Sequence, residues 1–94
     1  MSERLYHVAA VPFEAARHVD VLPQGHRSRR THGHSFLARV RAALPEGWAP
    51  FPGAETDHLR QVLAACVAPL DYDLLNRHLE VPTDENLARW VRDC

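Results

Sequence analysis

Apolar residues alternate with polar or small ones along two stretches of the chain, and they recur at helical spacing along two others. Leu5 to Ala16 is rich in β-branched, aromatic and small residues between polar flanks, which predicts a strand. Pro12 has no N–H to give a neighbouring strand, so its place is a sheet edge or a bulge. His32 to Leu44 alternates as a second strand, with Phe36, Ala38, Val40 and Ala42 on the face of His34 and with Leu37, Arg39 and Arg41 opposite. Leu59, Val62, Leu63, Cys66 and Val67 fall on one helical face, with Thr56 or Asp57 as N-cap and Pro69 ending the run. Pro82-Thr83-Asp84-Glu85-Asn86 opens a second helix, in which Thr83 caps, two acids meet the helix dipole, and Leu87, Trp90 and Val91 form the buried side.

Two loops interrupt these elements. Asp20 to Thr31 is rich in Pro, Gly, Ser and Arg, and Arg27, Arg29 and Arg30 make it the most basic stretch of the chain. Pro45 to Gly53 breaks all regular structure, and Trp48 and Phe51 are expected to pin it to the body of the fold. Neither loop divides the chain, so residues 1–94 read as one domain.

Composition excludes more than it selects. With 46% hydrophobic and 24% charged residues the chain has the balance of a soluble globular domain. A net charge of -1 gives no global attraction to nucleic acid or membrane, and no apolar run approaches the ~20 residues of a spanning helix. Met1-Ser2-Glu3-Arg4 carries no leader pattern. Cys66 and Cys94 show no disulfide-framework or zinc-knuckle spacing, which points to a reducing cytoplasm and makes Cys66 a small buried apolar residue.

The chemistry is concentrated in His32-Gly33-His34-Ser35-Phe36. Residues two apart on a strand share a face, so both imidazoles of the His-x-His pair point the same way. Neutral imidazole suits a borderline ion such as zinc, but a catalytic site uses three protein ligands and the third must come from elsewhere.

Phe13-Glu14-Ala15-Ala16, Gly25-His26-Arg27, His32-Gly33-His34-Ser35-Phe36, Leu70-Asp71, Leu75-Asn76 and Pro82-Thr83-x-Glu85-Asn86-Leu87-Ala88-x-Trp90, in this order, resemble the landmarks of the 6-carboxytetrahydropterin synthases, relatives of the 6-pyruvoyltetrahydropterin synthases. The resemblance covers about residues 10–93 and implies an α+β tunnelling-fold (T-fold) unit of antiparallel strands packed on two helices. Here it would lack the last two strands. It also implies an oligomer with active sites between subunits, formed by copies of the chain or with a full-length family member. Members of that family are zinc lyases that act on 7,8-dihydroneopterin triphosphate, and the carboxy branch feeds the pathway to queuosine and related 7-deazaguanines. Three histidines hold the zinc, a cysteine is the general base, and an Asp-His pair relays protons.

Four positions depart from that pattern. The first zinc histidine is replaced by Arg17, whose guanidinium has no lone pair to offer. His18 follows, but one residue further along a strand is the opposite face unless a bulge intervenes. Ser28 stands at the cysteine-base position, and an alcohol is a poor base for a carbon-bound proton. Tyr72 follows Asp71 where the relay histidine belongs, and a phenol with pKa near ~10 does not exchange protons at neutral pH as imidazole does. No counterpart of the glutamate that anchors the pterin ring follows Cys94.

Three functional readings stem from these residues. The first is a relative without the parent activity, in which Asp71, Ser28 and Tyr72 mark the catalytic positions and the zinc site is incomplete. In the second, His18, His32 and His34 form a shifted zinc shell and Asp71 works through water. In the third, a metal-free module binds a pterin or another anion, with Arg17 supplying the positive charge. Arg27, with Arg29 and Arg30, would face a triphosphate, and Glu85 would contact substrate where it does not merely complement the helix N-terminus.

Overall fold

The computed structural model describes residues 5–94. The expectation that Met1–Arg4 carry no leader falls outside them. Chain order is β1 (His7–Arg17), a 3₁₀ turn at Arg27–Arg29, β2 (His32–Ala42), α1 (Glu55–Val67), a 3₁₀ turn at Ala68–Leu70, β3 (Asp73–Leu74), a 3₁₀ turn at Leu75–Arg77, and α2 (Asp84–Arg92). The sheet runs β2-β1-β3, with β1 and β2 antiparallel over eleven pairs from His7↔Ala42 to Arg17↔His32.

This is the α+β unit expected, with one addition. β3 lies parallel to β1, pairing Ala15 with Asp73 and Ala16 with Leu74, so the sheet is mixed. Two residues are too few to show a period, which is why alternation did not mark this strand. Glu14 directs its N–H to Asp71 Oδ1 at 2.9 Å and its C=O to the Tyr72 N–H, away from β2. Alternation of backbone groups then turns the N–H position of Pro12, two residues earlier, to the same free side, where its absence breaks no ladder bond.

The helices cover one face of the sheet. Ala9, Phe13 and Ala15 of β1 pack against Leu59, Leu63 and Val67 of α1, with Leu70, Leu75 and Leu87 closing the core. Leu70 and Leu75 are fully buried. Thr83 caps α2 by accepting from the Asn86 N–H at 3.3 Å, as its sequence position implies.

Several expectations are corrected. The N-cap of α1 is Ala54 rather than Thr56 or Asp57, two residues before the nearer of them, and Glu55 reaches back to accept from the Gly53 N–H at 2.9 Å. Thr56 hydrogen-bonds His7 Nδ1 instead, at 2.9 Å. Val62 is exposed although it belongs to the apolar stripe. Trp48 packs against the core and stacks edge-on with His58 at 4.7 Å, which draws that histidine out of solvent, but Phe51 remains largely exposed and anchors nothing.

Cys66 and Cys94 form a disulfide with Cα atoms 5.9 Å apart, contrary to the expectation that they do not pair. Their separation of 28 residues carries no signal; proximity arises because α2 returns along α1, bringing the Val91 carbonyl to 3.7 Å from Cys66 Sγ. A reducing compartment therefore loses the support that unpaired thiols gave it. Among the described residues no helix is long and apolar enough to cross a membrane.

The packing sets a stability order that equilibrium urea unfolding can check. Leu75→Ala should cost about 2–5 kcal/mol through the cavity it leaves, whereas Phe51→Ala should change stability by no more than about 0.5 kcal/mol.

Candidate functional site

Period-two alternation and the β1/β2 register assemble the site. Arg17 stands opposite His32, Ala15 opposite His34 and Phe13 opposite Phe36, all on the face that the helices cover. The rings form a row: Phe13 stacks on Phe36 at 5.0 Å, His34 meets Phe36 edge-on at 5.7 Å, and His32 meets His34 edge-on at 4.7 Å. His32 Nδ1 donates to the Arg30 carbonyl at 2.7 Å, which leaves Nε2 as the lone-pair nitrogen of a neutral ring.

Arg17 closes the row. Its guanidinium lies 5.1 Å from the centre of the Phe36 ring, donates to Asp84 Oδ1 at 2.7 Å and to the Pro82 carbonyl at 3.0 Å, and so ties the end of β1 to the start of α2. Asp84 is mostly exposed, so the ion pair itself is screened and the backbone bond and ring contact do more to fix the side chain. Arg17 Nε is buried without a hydrogen-bond partner.

His18 does not join this group. Its ring Nδ1 lies 2.8 Å from Asp20 Oδ1, and its backbone exchanges bonds with the Asn76 side chain, N–H to Oδ1 at 3.0 Å and C=O from Nδ2 at 2.9 Å. No bulge redirects it. Among the described residues no group of three or more His, Cys, Asp or Glu side chains is placed to hold a metal ion. A three-histidine zinc centre does not fit the residues present: the place opposite His32 holds a guanidinium already committed to Asp84 and Pro82.

The remaining candidates sit in structural roles. Ser28 lies in the Arg27–Arg29 turn, its N–H bound to His26 Nδ1 at 3.1 Å and its C=O accepting from the Val19 N–H at 2.8 Å. Arg29 is spent on the Asp20 and Leu22 carbonyls, while Arg27 and Arg30 are exposed. Asp71 lends its carboxylate to the Glu14 N–H. Tyr72 is exposed, with φ 55°, and it lines one shallow depression together with Glu14, His34, Ser35 and Asp73. Glu85 is exposed in the first turn of α2.

Sequence reasoning missed three pairs. Asp84 is the partner of Arg17 across 67 residues, Ser35 donates to Glu14 Oε2 at 2.7 Å, and His78 Nε2 lies 2.9 Å from Asp73 Oδ2. The cross-strand Glu14–Ser35 pair was within reach of alternation and register; the other two needed the helices in place. The hydrogen bond from His78, then that from the Leu74 N–H, and finally the charges of Arg77 and His78 hold the Asp73 carboxyl below its ordinary range, against the partial desolvation that raises it.

Two comparisons bear on this arrangement. The sequence pattern of the family described as 6-pyruvoyl tetrahydropterin synthase matches residues 8–93. A protein of Archaeoglobus fulgidus that carries the name "Putative 6-carboxy-5,6,7,8-tetrahydropterin synthase" is 29% identical over 90 residues, a match covering 94% of this chain and 73% of that relative.

The Asp73–His78 pair gives a signed pH expectation. Because the folded-state pKa is depressed, the stabilisation is complete above the ordinary carboxylate range and is lost as pH falls through the folded value. His78→Ala should raise the Asp73 pKa toward its ordinary value and diminish this acid-labile stabilisation, read by carboxyl NMR titration and by acid unfolding.

Proposed function

The chain belongs to the 6-pyruvoyl tetrahydropterin synthase family, whose pattern spans residues 8–93, and we propose that it is a member that keeps the scaffold and has lost the lyase chemistry. The activity lost, in this reading, is that of a 6-carboxytetrahydropterin synthase: a zinc-dependent lyase step on 7,8-dihydroneopterin triphosphate, on the way to queuosine and related 7-deazaguanines. Oligomeric assembly and a cytoplasmic location belong to the same reading.

The observation that carries it is Arg17. A guanidinium fixed by Pro82 and Asp84 beside His32 fills the place of a third nitrogen ligand and repels a dication. The positions of base and relay support the same conclusion. Ser28 has an alcohol where a thiolate would act, and its backbone serves the loop. At residue 72 the backbone is left-handed, a conformation in which His is enriched and a bulky Tyr is an outlier. The chain thus retains a conformation suited to imidazole and places a phenol in it.

A second reading has its own observation. Arg17 Nε is a buried donor with no hydrogen-bond partner among the described residues, and Arg17 lines a trough together with His34, Phe36, Leu63 and Val91. A planar pterin with acceptor atoms on its edge would meet the Arg17 side chain once it turns Nε toward the trough, and would stack on the aromatic row, binding without turnover.

Zinc quantification combined with a turnover assay on 7,8-dihydroneopterin triphosphate tests the proposal. The purified chain should hold well under one zinc per chain and form no product. Arg17→His should raise bound zinc toward one per chain, and adding Ser28→Cys and Tyr72→His should bring measurable turnover. Stoichiometric zinc with family-like turnover in the unaltered chain would refute the loss.

A further inference from the structure

We propose that the Cys66–Cys94 disulfide is a thiol-exchange site, at which the thiolate of a small molecule attacks Cys94 and releases the C-terminal end of α2 from α1, with the N-terminal end of the helix as pivot. The inference does not rest on the loss of lyase activity.

The two ends of α2 are held differently. At the first turn Thr83 caps the helix, the Asn86 side chain donates to the Val81 carbonyl at 2.8 Å, Pro82 is fully buried, and Arg17 ties Pro82 and Asp84 to β1. At the last turn Arg92 Nε donates to Asp93 Oδ1 at 2.9 Å, and both side chains lie in solvent, so that pair fastens nothing to the body of the fold. Leu87, the buried residue of the helix, belongs to its first half, while Trp90 and Val91 are only partly buried against the core. What secures the far end is covalent: Cys94, two residues past the helix, is bonded to Cys66 of α1. A nine-residue helix is too short to persist on its own hydrogen bonds in water, so its position depends on these attachments.

The two sulfurs are unequally placed. Cys66 is 7% exposed, on the apolar stripe of α1, whereas Cys94 is exposed. An incoming thiolate therefore reaches Cys94: a new S–S bond forms between the two, the Cys66–Cys94 bond breaks, and Cys66 leaves with the electron pair and takes a proton from water. A second small-molecule thiol then frees Cys94, so two thiols are oxidised to one disulfide as the protein gains two electrons and two protons. Cys66 as a thiol remains a small apolar residue of the core, and the Val91 carbonyl, 3.7 Å from its sulfur, lies within reach of its S–H. The reduced chain loses a latch and gains neither a buried charge nor a cavity.

The consequence falls on the trough between the helices and the sheet. Cys66 and Cys94 both line it, with Leu63 on the α1 side, Val91 on the α2 side, and Phe36 and Val40 on β2. Closed, the disulfide sets the spacing of the two helices. Open, the far end of α2 swings about Pro82 and uncovers the half-buried face of β2, while Arg17 keeps its partners at the pivot.

Residue-resolved hydrogen exchange on the full chain, before and after incubation with reduced glutathione without denaturant, tests this. Quenching the reaction early with iodoacetamide and mapping the peptides by mass should find glutathione on Cys94 and the alkyl group on Cys66. In the reduced protein the amides of Trp90 to Asp93 should exchange about tenfold faster or more, and those of β1 at an unchanged rate. Cys94→Ser should reproduce the faster exchange with no thiol added, and Cys66→Ala should do so by a second route that leaves the exposed end intact. A bond that glutathione opens only as β1 unfolds, an adduct on Cys66, or α2 amides indifferent to reduction would each overturn the proposal.

Discussion

A side chain at the end of one strand holds this fold's sheet to its second helix. Arg17 reaches from the last residue of β1 to the Pro82 carbonyl and Asp84, and lays its guanidinium against Phe36 on the way. A metal at this place would cross-link two strands through lone pairs; a guanidinium cross-links a strand to a helix through donors. The two devices require opposite partners. Carbonyl and carboxylate oxygens accept from Arg17 Nη1, while the imidazole Nε2 of His32, on a ring whose Nδ1 donates to the Arg30 carbonyl, gains nothing from the cation. In the proposed reading, a chain that uses the cation for structure does not bind the ion without giving up the tie to α2.

The other end of the site follows from a backbone demand rather than from chemistry. Beside β1, the chain at Asp71-Tyr72 supplies what a full strand would: a carboxylate accepts from Glu14 N–H and an amide donates to Glu14 C=O. Asp71 is thereby occupied as a surrogate for a carbonyl, and Tyr72 must turn through a positive φ to deliver its N–H. Both residues have a sufficient structural reason to be where they are. The polar contact that does resemble a relay, Asp73 with His78, lies at the next turn and is shared with Arg77.

Alternation made β1, β2 and the shared face of His32, His34 and Phe36 legible, because a period of two is enforced by burial on one side. Strand parity alone separated His18 from the face of Arg17; the residue lies just past the end of β1 with its ring against Asp20. Thr83 was legible because capping is local. What escaped depends on residues distant in the chain: Asp84 finds Arg17, Cys94 finds Cys66, and Asn76 holds both sides of the His18 backbone. The start of α1 escaped for a different reason. Two neighbouring residues, Thr56 and Asp57, each qualify as cap, and neither serves: Glu55 folds back on Gly53 and His7 claims Thr56.

Helices α1 and α2 cover mainly β1, so the inner face of β2, with Phe36, Ala38 and Val40, is only half buried in one chain. Such a face tolerates the loss of catalytic residues more readily than the loss of apolar ones, because each apolar side chain still contributes about 25 cal/mol for every Å² it withdraws from water, while an unused base contributes nothing to folding. Under the proposed loss of lyase chemistry, selection for assembly alone would keep Phe13, Phe36 and the leucine core and place no chemical demand on Ser28 or Tyr72. Phe13 and Phe36, the stacked pair beside Arg17, belong to that packed set, Phe13 buried in the core and Phe36 packed against it.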